Sequence, residues 1–315
     1  MMSDLEPTPV DVERSPPMVR PVVPAAEALI GQRTPVLDHG FVVLVDYMGN
    51  DSAIVQAARV SYGLGTKSTR DDRGLIRYLM RHRHTTPFEM VEFKFLVKLP
   101  IFVARQAIRH RTFSVNELSA RYSVVPDEFH VPEAEDIRAQ SRTNRQGRGD
   151  ALPSEVVGAF RDNVRRTSEQ AYQIYEQALE RGVTRELARI LLPVNFYTQW
   201  YWKANLHNLL HFLSLRLDAH AQEEIRRYAQ ALVPAVKAVT PIAYEAFEDF
   251  VLNSEHLTRR EKVALRAMLE GASAEEACTR AKLPWRREDG TLMRSGEGVE
   301  FLEKLRRIRD ASADV

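Results

Sequence analysis

A chain of 315 residues, 44% of them apolar, is long enough for one large core or two modest ones. Its 44 Lys and Arg residues nearly balance 43 Asp and Glu, so no global field draws it to nucleic acid or an anionic membrane. Any anion site must arise from local clustering. The single cysteine, Cys278, excludes a disulfide framework and a Cys-rich metal site. No apolar run approaches the roughly 20 residues of a membrane span, and no signal-peptide pattern opens the chain. These features point to a soluble, cytoplasmic protein.

Residues 1–36 hold seven of the sixteen prolines and few large apolar residues, and read as a disordered Pro-rich leader. The stretch FVVLVDYMG, from Phe41, reads as a buried strand ending in a turn. Asn50 or Asp51 would then cap a helix through IVQAARVSY. A second helix is expected at about 71–83, with acids in its first turn and cations in its last. In MVEFKFLVK (90–98), Val91, Phe93, Phe95 and Val97 alternate with Glu92, Lys94 and Lys98, which predicts a strand with one wet face. Pro100 opens a helix expected to run to Arg111.

Residues 132–153 are polar and read as a surface excursion. Helical spacing predicts a helix over 154–181, stopped by Gly182. VNFYTQWYW (194–202) is aromatic-rich and strand-like. Helices at about 204–215 and 219–250 follow, the second kinked or interrupted by Pro234 and Pro241. The irregular alternation and the lack of a GxGxxG fingerprint argue against a doubly wound sheet. The expected class is α+β: mixed helices around a small antiparallel sheet, with a helical C-terminal extension. The domain reading is a leader at 1–36, a catalytic domain at 37–254 and an extension at 255–315. In the extension, helix, Gly-turn and further helices suit either a packing or oligomer role or a nucleic-acid-binding helix-turn-helix.

The densest chemistry lies in RHRTFSVNELSARY (109–122). A helix over 100–111 would place Arg105 and Arg109 on one face with Gln106 beside them. Its apolar flanks imply burial, and a buried guanidinium needs an anion. The Arg fork matches phosphate, and Ser114, Asn116 and Ser119 add neutral donors. A phosphorylated, nucleotide-like ligand therefore outranks a merely solvated basic face. By contrast Arg81–Arg83 read as cations closing a helix. His207 and His211 share a helical face, as do Arg216 and His220. A metal site there is set aside, because no HExxH occurs and the acids follow rather than interleave.

Arg109-His110-Arg111 followed seven residues later by Ser119 resembles the signature of the flavin-dependent thymidylate synthases. AARVSYG (57–63), HTTPFE (84–89), PIFVARQAIRHR (100–111), NELSARY (116–122), ELARILLP (186–193) and LRLDAHAQ (215–222) extend the resemblance from about Gly40 to about Ala246. It implies a homotetramer of α+β subunits with FAD and dUMP bound where subunits meet. It also implies FAD contacts from Ser61, His84, Thr86, Arg109, His110, Arg111, Asn205 and His220, with Glu117 between flavin and nucleotide. His207 and His211 stand where relatives often carry Arg and Asn. For dUMP the resemblance implies Gln106 and Arg109 from one subunit and Glu117, Leu118, Ser119, Ala120 and Arg121 from another, completed by Arg189 and Arg216. Position 120 is often Gly in the family.

The implied chemistry is reductive methylation of dUMP to dTMP, with NADPH as reductant, 5,10-methylenetetrahydrofolate as carbon donor and no cysteine nucleophile. Cys278 lies outside every matching block, and Ser119 lacks an adjacent base, so Ser119 is assigned to binding. Arg216 is assigned the catalytic role of polarising the uracil N3/O4 edge. Two other classes remain: a nucleotide-binding protein without turnover, and nucleic-acid binding through the extension, which the net charge does not favour.

Overall fold

The computed structural model describes residues 21–60, 72–141 and 147–310. Pro24 opens a short helix, α1 (Pro24–Glu27), at a position where its missing N–H is not needed. β1 (Arg33–Val36) then pairs antiparallel with β2 (Gly40–Met48). Residues 21–36 therefore depart from the disordered leader read from composition. Ala26 and Val36 are buried in the main core. Pro35 sits in an edge strand, where a missing ladder donor is tolerated.

Asn50 caps α2 (Asp51–Arg59), its side chain accepting from the Ser52 N–H at 3.0 Å. α3 (Asp72–Arg81) follows, then a 3₁₀ turn at Thr86–Met90 and β3 (Glu92–Pro100). β3 alternates as its sequence requires: Phe93, Phe95, Val97 and Leu99 are buried, while Lys94 is exposed.

Pro100 ends this strand and stands at the N-cap of α4 (Ile101–Ala107), one position ahead of the expected first turn. α4 also stops four residues short of Arg111. Phe113 stacks on Trp202 with ring centroids 4.5 Å apart, and this anchor turns the chain back to lay β4 (Ser114–Glu117) against the sheet.

The polar excursion contains a hairpin of β5 (Arg138–Gln140) and β6 (Arg148–Ala151). α5 (Ser154–Glu180) spans 27 residues and is closed by Gly182 at φ +84°. α6 (Arg185–Ala188) leads to β7 (Tyr197–Asn205). The main sheet runs β1-β2-β3-β7-β4, antiparallel throughout. Asn205 passes the chain directly into α7 (Leu206–Arg216) as its N-cap, accepting from the Asn208 N–H at 2.9 Å.

Beyond α7, α8 (Glu223–Val239) contains Pro234 without ending there. The break falls at Thr240, and Pro241 opens α9 (Pro241–Phe247). α7 and α8 cover one face of the sheet, burying Trp202, Leu209, Phe212, Ile225, Leu232 and Val236 with Phe93 and Phe95. Each such aromatic or branched side chain contributes about 1.5–3 kcal/mol on full burial.

The C-terminal extension has its own core. α10 (Arg259–Leu269), α11 (Ala274–Arg280) and α12 (Glu297–Asp310) enclose Ala264, Ala277, Cys278, Leu283 and Phe301. Among the described residues no helix is long and apolar enough to cross a membrane.

Candidate active site

Three clefts divide the residues singled out in the sequence. The first, about 720 Å³, lies between the C-terminal end of α3, α7 and the segment after α9. His84, His207 and His211 line it, joined by Arg81, Arg83, Ser214 and His256 over an apolar floor that includes Phe88, Leu210 and Phe250. Thr86 heads the 3₁₀ turn beside this cleft, but its neighbour Thr85 is the threonine that lines it. Arg83 reaches the cleft from a left-handed backbone at φ +59°, a conformation that composition does not announce. Ser61 lies outside the described residues.

The second cleft, about 440 Å³, gathers Glu117, Leu118, Ser119, Ala120 and Arg189, with Arg105, Tyr197 and Thr198. The Thr198 hydroxyl donates to Glu117 Oε1 at 2.6 Å and fixes that carboxylate. Arg121 leaves this group: it pairs with Glu186 at 2.8 Å. The third cleft, about 820 Å³, holds His220 and Gln222 against Arg138 and Arg148 of the β5–β6 hairpin. An ion-pair network closes this side, with Arg148 on Asp136 (3.1 Å) and Glu224 (2.6 Å) and Arg227 on Asp136 (2.9 Å).

His220 does not share a helical face with Arg216, because α7 ends at Arg216. It stands in the following turn, its N–H and ring Nδ1 both on Asp218, at 2.7 and 2.9 Å. Among the described residues, no three His, Cys, Asp or Glu side chains gather as a metal site would require.

The turn that follows α4 meets the C-terminal end of α7. Arg216 Nε donates to His110 Nε2 at 3.2 Å. A guanidinium only donates, so His110 accepts at Nε2 and carries its proton on Nδ1. Burial, then the charges of Arg216 and His211, push the imidazole down to about 4. His110 is therefore neutral near pH 7, with its ring 4.8 Å from that of Phe212. Burial also lowers the Arg216 guanidinium, which stays charged. Gln106 donates to Gln222 across the same junction.

The cations of this region are exposed in the isolated chain, not buried as the apolar flanks of α4 suggested. α4 turns Val103, Ala104 and Ala107 inward and leaves Arg105 outside, and Arg109 and Arg111 follow in the turn. The helix that would carry Arg109 four residues beyond Arg105 ends at Ala107, and both side chains are exposed. Among the described residues, none of Arg105, Arg109, Arg111 and Arg216 is paired with a carboxylate. Arg81, Arg83 and Arg189, which line the first and second clefts, also lack a carboxylate partner among the described residues, so this region carries a local excess of positive charge. Arg105 belongs to the cation cluster read as a phosphate site, whereas Arg81, Arg83 and His256 escape the site reading. The two arginines pass for ordinary helix-end cations, and His256 lies beyond every recognisable block.

Residues 43–242 match the family model described as thymidylate synthase complementing protein. A flavin-dependent thymidylate synthase of Ruegeria pomeroyi is 52% identical over 284 residues, covering 88% of this chain and 94% of that protein. That of Gluconobacter oxydans is 54% identical over 267 residues, covering 83% and 88%. Among solved structures, the UMP/dUMP methylase PolB of Streptomyces cacaoi, bound with 5-Br dUMP, superposes with a TM-score of 0.62 at 37% identity, covering 70% of this chain and 99% of that one. With matches of this extent spread across the sheet, α4, β4 and α7, the chain belongs to the flavin-dependent thymidylate synthase family.

Proposed function

We propose that this protein methylates dUMP to dTMP with FAD as cofactor, NADPH as reductant and 5,10-methylenetetrahydrofolate as carbon donor, in the cytoplasm. The observation that carries this reading is the set Arg105, Arg109, Arg111 and Arg216, none of them paired with a carboxylate: Arg105 lines the second cleft, Arg216 meets His110, and Arg109 and Arg111 stand exposed on either side of that histidine in the chain. Guanidinium groups left without acids suit anionic ligands, and a dinucleotide and a nucleotide both carry the phosphates such groups recognise.

The first cleft fits FAD by its donor set, with imidazoles and guanidiniums on its rim and an apolar floor beneath. His84, His207 and His211 would hold it there, joined by Arg109, His110, Arg111, Asn205 and His220. Ser61, Thr86 and Glu117 complete the proposed set. When bound, the flavin supplies the hydride chemistry. The second cleft would hold dUMP through Leu118, Ser119, Ala120 and Arg189, with Gln106, Arg109, Arg121 and Arg216. Here Arg216 polarises the uracil edge, and neutral His110 keeps the guanidinium oriented without competing for the anion. Arg121 would exchange Glu186 for the nucleotide phosphate.

No thiol takes part in this scheme. Cys278 is fully buried in the core of the extension, and burial followed by the Glu275 charge raises its pKa. The division of the ligand set among separate clefts favours sites completed between subunits of a homotetramer. So do the exposed side chains of Leu187, Ile190 and Val194 beside the second cleft. Nucleic-acid binding by the extension is disfavoured, since Glu275 and Glu276 occupy the first turn of α11.

The test is an anaerobic visible spectrum of purified protein during NADPH addition, with and without dUMP. A flavin band that bleaches faster with dUMP, followed by dTMP formation when the folate is added, is the expected result. Absence of a flavin band even after incubation with FAD would leave a nucleotide-binding protein without turnover.

A further inference from the structure

The family model ends at residue 242, yet the wall of the first cleft does not. Ser254, Glu255 and His256 line it together with His84, His207 and His211. This short strap joins the main domain to the C-terminal extension, and the extension holds it in place. From α12, Arg307 grips both oxygens of Glu255, with Nε at 2.5 Å and the terminal nitrogen at 3.2 Å. Lys304 Nζ donates at 2.8 Å to the His256 carbonyl and at 2.8 Å to Glu261 Oε1, a carboxylate buried in the α10 capping box.

Three features set this strap apart from a surface linker. Its one carboxylate is neutralised by a bidentate partner, which removes the group that would repel an anionic ligand from a cationic cleft. The His256 ring makes no hydrogen bond among the described residues and stands exposed on the rim, while its backbone is fastened. Arg307 also lies close enough to Asp218 to help hold that carboxylate below its usual range, together with the hydrogen bonds and charge of His220. One side chain of the extension thus acts on the strap and on the turn that carries His220.

We infer that the C-terminal extension completes the dinucleotide cleft: His256 is a further FAD-binding residue, and Arg307 and Lys304 are positioning residues that hold it on the rim. The inference rests on the FAD reading of this cleft. It gives residues 255–310 a role that net charge and helix count do not suggest. The Ruegeria pomeroyi relative covers 88% of the chain, and only 42 residues precede the family model, so that match also extends past residue 242.

The experiment strips flavin from the full-length protein and titrates FAD back into wild type, His256→Ala, Arg307→Ala and Arg307→Lys by flavin fluorescence. Thermal melting of each apoprotein runs alongside. His256→Ala is expected to melt as wild type and to bind FAD about tenfold more weakly, the effect of one lost polar contact. Arg307→Ala is expected to weaken FAD similarly, with Arg307→Lys recovering most of the affinity. If wild type binds FAD but His256→Ala stays within threefold of it, the inference is overturned while the FAD reading stands. If Arg307→Ala folds and stays within threefold, the positioning role is overturned. Wild type that takes up no FAD would overturn the FAD reading itself and this inference with it. Should Arg307→Ala fail to fold, His256→Ala decides alone.

Discussion

At the scale of single residues, the Arg216–His110 contact decides two properties at once. The guanidinium fixes the imidazole tautomer, and with burial it keeps His110 neutral to about pH 4. An unfolded imidazole takes up a proton near 6.5. The unfolded state therefore binds more protons than the native state between those values, and this residue makes the fold lose stability as pH falls from about 6.5 to about 4. Replacing Arg216 by Ala should raise the His110 titration from about 4 toward 6.5, seen by NMR of the imidazole protons, while burial keeps part of the depression. The same variant should lower turnover at saturating dUMP about 100-fold, the usual effect of removing one preorganised donor. Near-wild-type turnover would take the polarising role away from Arg216.

At the scale of elements, the packing of the sheet rests on one close approach. A Cβ on Gly40 would lie 2.6 Å from the Val36 carbonyl and 2.9 Å from that of Lys98, and would collide with the Tyr228 hydroxyl. That hydroxyl donates to the Lys98 carbonyl at 2.8 Å and ties α8 to β3. Gly40→Ala should therefore destabilise the protein by about 3 kcal/mol, read as a lower denaturation midpoint at unchanged slope. A cost below about 1 kcal/mol would mean that the β1–β2 turn yields easily.

Elements whose signals are local were legible in the sequence. The Asn50 cap, the alternation in β3, the helix over 154–180 and its Gly182 stop all follow from neighbouring residues. What depended on distant partners was not. β1 exists because β2 pairs with it, α4 ends early because Phe113 finds Trp202, and Pro234 rides on the exposed side of α8 while Leu232, Ala235 and Val236 pack inward. For the candidate site, the signature residues were legible, but the sharing of one cleft by Arg83 and His256 was not. A left-handed turn and a segment beyond the family blocks put them there.

At the scale of the whole molecule, an isolated chain leaves its proposed ligand groups in separate clefts and an apolar face uncovered. Leu187 is 58% and Ile190 76% exposed. Replacing both by Glu should yield a smaller particle in light scattering and a protein that loses FAD on gel filtration. A particle of unchanged size would remove that face from the proposed interface. The separate core of the extension bears on a different question. Cys278 is the one thiol of the chain and is shut inside the second core. A thiol reagent therefore reaches it only when the extension opens, whatever the sheet is doing. Its labelling rate is a built-in clock for that opening, able to report whether a ligand seated in the main domain tightens the C-terminal helices.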